Sequence, residues 1–120
     1  MHKTGMELIA QERKEQIEKH GWSLEHDQDY GSGQLLQAAR FCIDQVNNRE
    51  LGCNEESIKW PDGWDPYFEN KIRNKSIIEQ LIVAGAFFMA ENDRIGSDAF
   101  HNYINAMARK IDMLNGIEQC

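Results

Sequence analysis

At 120 residues, 41% of them hydrophobic and 28% charged, the chain can bury one core and is too balanced in composition to be disordered. Its formal net charge of −7 argues against general binding to a nucleic-acid backbone, which needs a basic surface, but leaves room for a small anion in a local basic pocket. Three cysteines (Cys42, Cys53, Cys120) without zinc-like spacing and an N-terminus without a signal-peptide core point to a single cytoplasmic domain over residues 1–120.

From about Thr4 to His20 the sequence reads as a charged helix with a thin apolar stripe of Met6, Ile9, Ala10 and Ile17. Lys19 and His20 suit its C-terminal end, and Gly21 is a natural stop. The loop that follows, GWSLEHDQDYGSG, gathers Glu25, Asp27 and Asp29 around His26. It is not an EF-hand, because Ser32 and Ala38 stand where that motif needs Gly and Glu. Ser32 is suited to cap a second helix to about Asn47, with Leu35, Ala38, Ala39, Cys42, Ile43 and Val46 on one face. The small pair Ala38 and Ala39 would admit a close neighbour, with Gly85 as the expected partner.

Residues 48–68 read as a long irregular stretch around WPDGWDP, packed down by Trp60 and Trp64. The central helix is expected over Ser76 to Arg94, where LIVAGAFFMA is apolar on nearly every side yet too short for the roughly 20 residues of a membrane span. After Gly96, Ser97 would cap a last helix to about Asn115, with Phe100, Tyr103, Ile104, Met107, Ile111 and Leu114 on its apolar face. The expected architecture is all-α and four-helix-bundle-like, with a long Trp/Pro loop between the second and third helices.

Three groups of residues could carry chemistry. Lys71, Arg73 and Lys75 precede the central helix, whose free N–H groups and dipole favour an anion, and Trp60 or Trp64 could stack on a base. The plainer alternative for that run is a solvated face. Glu12 and Glu15 share a helix face at i, i+3, the spacing by which carboxylates share a divalent cation, and Glu25–His26–Asp27 could join them. The alternative there is an acidic surface loop latching a helix end. Glu91, Asp93 and Arg94 close the central helix, where carboxylates oppose the dipole and a salt bridge is the simple explanation.

These residues resemble a family of small tailed-phage and prophage proteins with an ER-x-x-Q-I helix, a GW-x-x-EHD loop, a GEL-x-x-AA helix, a WP loop and a KAGALI-x-AEIER helix. The matches are Glu12, Arg13, Gln16 and Ile17; Gly21, Trp22, Glu25, His26 and Asp27; and Gly33, Leu35, Ala38 and Ala39. Trp60, Pro61, Trp64 and Arg73 follow, then Leu81, Ala84, Gly85, Ala86, Ala90, Glu91 and Arg94. The resemblance covers about residues 5–95 and leaves a C-terminal helix at about 97–115 outside it. It implies a loose likeness to MazG-type nucleotide pyrophosphohydrolases, all-α enzymes that hold magnesium with an ExxE pair and a later ExxD. Glu12 and Glu15 match the first pair, but Glu91 and Asp93 are only two apart, and Gln34 and Val83 replace residues the family often has as Glu and Lys.

The expectation is therefore a phage-type protein that binds a nucleotide or nucleotide-derived signal without cofactor or turnover, countering host defence by sequestration. Its ligand would be held by Arg13, Gln16, His26, Asp27, Trp60, Trp64, Lys71, Arg73, Lys75 and Arg94, and a homo-oligomer is expected. One alternative is a magnesium-dependent pyrophosphohydrolase with Glu12, Glu15, Glu91 and Asp93 as ligands. Another is a homo-oligomeric protein-interaction module.

Overall fold

The computed structural model describes residues 3–20, 33–52 and 58–116, with only the backbone of Lys19 and His20. Among the described residues there are five helices and no strand. The first, α1 (Gly5–His20), starts on a reciprocal cap in which Thr4 Oγ1 accepts from Glu7 N–H and the Glu7 carboxylate accepts from Thr4 N–H. The second, α2 (Gln34–Leu51), runs about a turn beyond the expected Asn47 and closes on Gly52, whose φ of 69° is the left-handed conformation favouring glycine. It begins at Gly33 without a side-chain cap; the expected caps at Gly21 and Ser32 lie outside the described residues.

The sequence expectation missed one helix. The stretch read as irregular up to Phe68 already contains the start of α3 (Pro66–Arg73). Asp65 caps it by accepting from Tyr67 N–H at 2.9 Å, and Pro66 occupies the first turn, where its missing N–H costs nothing. The central helix α4 (Ile77–Ile95) falls where expected, opened by a full capping box between Ser76 and Glu79 and closed by Gly96. The last helix, α5 (His101–Leu114), starts three residues later than a cap at Ser97 would place it. Asn92 of α4 supplies the cap from outside, its side-chain oxygen accepting from Phe100 N–H at 2.9 Å.

Helix α4 is the axis of the packing, with α2, α5 and α1 laid along it and α1 also touching α5. Its run from Gln80 to Glu91 is almost wholly buried, which explains its near-uniform apolarity. The close approach at Gly85 comes from α1, not from Ala38 and Ala39 of α2. A Cβ built on Gly85 would sit 2.6 Å from Ile9 Cδ1 and 2.8 Å from Ile9 Cγ1. Gly5 is held still more tightly, because a Cβ there would strike the backbone carbonyl of Ala108 on α5. Its N–H instead donates to the Asp112 carboxylate at 2.6 Å. These contacts set the course of α1 across α4, and with it the cleft described next.

Candidate functional site

The basic residues before α4 do not form the open anion site their sequence suggests. Arg73 donates through Nε and Nη2 to the Glu69 carboxylate at 3.0 and 2.8 Å, and its guanidinium lies 5.0 Å from the Phe41 ring centroid. Lys71 sits 6.0 Å from the Tyr67 ring. Two of the N–H groups at the start of α4, those of Ser76 and Glu79, are engaged by the capping box. Bonding to the Ser76 backbone and hydroxyl holds the Glu79 carboxyl below its ordinary value, so the positive end of the helix already has its anion.

Trp60 is also not placed to stack on a base. It is 7% exposed and packs edge-on against Phe41, Trp64 and Phe87 with centroids 5.4, 5.3 and 6.2 Å away. Its large apolar surface has gone into the core. Trp64 is half-buried, with Trp60 on one side and Phe87 on another at 5.9 Å.

Lys75 lines a cleft whose other charged residues, Glu12, Glu15 and Glu79, are acidic. Leu8, Gln11, Glu12 and Glu15 of α1 form one wall; Lys75, with Glu79, Ile82 and Val83 of α4, forms the other, around a volume of about 170 Å³. The Gln11 amide donates to Glu15 at 3.3 Å, and Glu79 is committed to its cap. Glu12 is different. It is half-buried, with Lys75 and Lys71 as opposing charges and the Gln16 side chain favouring its ionised form. Burial pushes its carboxyl above the ordinary value, Glu15 adds to that, and Lys75 and Lys71 oppose it.

Behind Glu12 lie a buried amide and a buried thiol. Gln16, one turn along α1, is 1% exposed and lies close enough to favour Glu12's charge. Yet neither its amide nitrogen nor its oxygen closes a hydrogen bond. Cys42 of α2 is fully buried within reach of the same charge, and desolvation first, then Glu12, pushes its thiol up and keeps it protonated and inert. Glu12 thus stands at the boundary between an open cleft and an incompletely satisfied interior.

The other charged residues singled out by sequence gather at the far end of α4. Arg13, 6% exposed, pairs through Nε with Asp93 at 3.2 Å, and Arg94 pairs with the buried Glu91. Arg13, Ile17, Asn92, Asp93, Gly96, Ser97 and Asp98 line an open depression of about 480 Å³. Glu79 and Glu91 are separated by about 18 Å of helix. Of the two carboxylate pairs of the pyrophosphohydrolase alternative, Glu12 and Glu15 lie in the cleft with Glu79, while Glu91 and Asp93 pair with Arg94 and Arg13. Among the described residues no group of three or more His, Cys, Asp or Glu is arranged to hold a metal. His26 and Asp27 lie outside the described residues.

Sequence reasoning had no reason to add Gln11 or Glu79 to the site. Ser76-x-x-Glu79 is legible as a capping box, but which side of α1 it would face depends on the crossing fixed by Gly5 and Gly85. No helix among the described residues is long and apolar enough to cross a membrane. The sequence matches no family model, no curated protein and no solved structure.

Proposed function

We propose that this protein binds a small nucleotide-like ligand without turning it over, and that one end of the ligand enters the α1/α4 cleft beside Glu12. The observation that carries the reading is Glu12 itself. Glu12 is a half-buried carboxylate in the wall of a cleft, pushed up by burial and facing the charge of Lys75, and ionisable groups perturbed in this way concentrate at functional sites. At about 170 Å³ the cleft is smaller than the roughly 300–1,000 Å³ of a whole-ligand pocket, so it suits a single ring system or head group. The remainder of the ligand would lie outside, where Lys75 and Lys71 favour a phosphate. In the phage setting that the resemblance implies, such binding would keep a host nucleotide signal from its receptor.

The test is thermal denaturation of the full chain with nucleosides, nucleotides and cyclic nucleotides, with and without magnesium, followed by analysis of each mixture. The expected result is stabilisation with the ligand recovered intact. A ligand at a hundred times its Kd adds about 2.7 kcal/mol to the native state. A silent panel, or ligand returned hydrolysed, would overturn the reading.

Association with a second copy is a separate proposal, supported by Leu51, Met113 and Leu114, which are 78%, 69% and 43% exposed near the Lys110–Glu50 ion pair. Mass measurement across a dilution series tests it; a monomer at every concentration would contradict it.

A further inference from the structure

We infer that α1 is a hinged wall: residues 12–18 undock from the core as a unit, pivoting just beyond the point where Ile9 meets Gly85, while the first turns stay fixed. The inference concerns one side of the proposed binding cleft but does not depend on any ligand.

The first observation is where α1 buries apolar surface. Gly5 and Ile9 are buried, and Met6 and Leu8 pack partly buried against the core. After Ile9 no further apolar side chain of α1 joins that core among the described residues. Ala10 and Ile17, which the sequence places on the apolar stripe, are exposed, Ile17 by 39%. The buried residues of the later turns are Arg13 and Gln16, both polar. In α2 and α5, by contrast, apolar burial recurs from turn to turn, at Leu35, Ala38, Cys42 and Val46 and at Ile104, Ala108 and Ile111. A segment with little buried apolar surface opens at lower cost than the core.

The fixed end is held by shape. Gly5 lies so close to the Ala108 carbonyl that no Cβ would fit, its N–H is tied to Asp112, and Ile9 fills the space over Gly85. The later turns are held by polar groups. Arg13 has Asp93 among its partners, and the Asp93 side chain is 52% exposed, so water competes for that pair. Gln16 favours the charge of Glu12, yet neither atom of its buried amide completes a hydrogen bond. An amide kept from water in that condition destabilises the docked state and regains its bonds when the segment opens. A piece this short cannot keep its helix alone, because isolated helices below about 12–15 residues are marginal in water. Undocking therefore unwinds it and frees its amides.

Glu12 and Glu15 ride on the hinged part, whereas Lys75, Glu79, Ile82 and Val83 stay with α4. Opening thus widens the cleft from its docked volume of about 170 Å³ and admits groups larger than the closed form takes.

The experiment is amide hydrogen exchange of the full, ligand-free chain, followed by NMR. The amides of Gln16, Ile17 and Glu18 are expected to share one protection level, more than about tenfold below that of Ile9, Ala10 and Gln11. Gln16→Met keeps the length of the side chain and removes its polar atoms, and is expected to slow exchange across the hinged part by about tenfold. Protection as high as that of Ile9 would overturn the inference. So would protection that declines evenly toward His20, which is ordinary end fraying, or a folded Gln16→Met chain with unchanged exchange. The profile of the unaltered chain decides the matter even if the variant does not fold, and none of these outcomes bears on whether a nucleotide binds.

Discussion

Glu12 shows how one residue can set stability against function. Its folded-state carboxyl is raised above the ordinary value of 4.5, so between those two values the native state holds more protons than the unfolded chain. Stability from this group is present below the unfolded value and lost as pH rises through the folded one. Glu12→Gln is therefore expected to raise the melting temperature of the ligand-free protein at pH 7 and to flatten its decline just above pH 4.5, as read by circular dichroism melts across pH. A variant no more stable than the parent would contradict it. The spacing of Glu12 and Glu15 was legible in the sequence, because i, i+3 fixes a shared face. What faced them was not. The sequence assigned Trp60 to a ligand because a ring near the basic cluster could stack on a base, but a tryptophan adjoining a buried proline has more to gain by filling the core against Phe41 and Phe87.

At the scale of elements, the account rests on where α1 crosses its neighbours. Gly85→Ala would drive a methyl into Ile9, a fully buried branched side chain met at its Cδ1, Cγ1 and Cγ2 together. Overpacking should outweigh the helix-propensity gain and leave a net loss of about 1–2 kcal/mol. Pairing it with Ile9→Val should recover part of the loss, and additive penalties in the double-mutant cycle would refute the contact. Gly5→Ala should cost more, since the obstacle is the Ala108 carbonyl and not a side chain. Ser76→Ala breaks the capping box and should cost about 1 kcal/mol, or about 4 °C in Tm for a chain of this size.

The periodicity of α1, α2 and α4 and the stop at Gly96 could be read because each depends on residues within a turn or two of one another. Helix α3 escaped because eight residues carry too little period to register beside Trp-Pro-Asp-Gly, although Asp65–Pro66 is a helix start. The start of α5 escaped because its cap, Asn92, comes from another helix.

For the whole molecule, α5 belongs to the core even though it lies outside the phage-family resemblance. Ile104, Ala108 and Ile111 are buried, and the rings of Phe88, Phe100 and Tyr103 stack with centroids 5.3 to 6.0 Å apart. Removing everything from Ser97 onward would bare Phe88 and take away the surface that receives Gly5 of α1. The truncated chain is expected to lose its cooperative thermal transition; a sharp melt near that of the full chain would show α5 to be an appendage. Since α5 fixes α1, and α1 carries Glu12, the shape of the cleft depends on the entire chain. The most direct test of the central claim is a pH titration of the Glu12 carboxyl carbon by NMR, with and without the nucleotides of the thermal panel. The expected result is a midpoint above the ordinary glutamate value in the free protein that shifts when a stabilising nucleotide is present, because a ligand beside the carboxyl changes its burial and its neighbouring charges. A midpoint unmoved by saturating nucleotide would contradict the claim that the ligand enters beside Glu12.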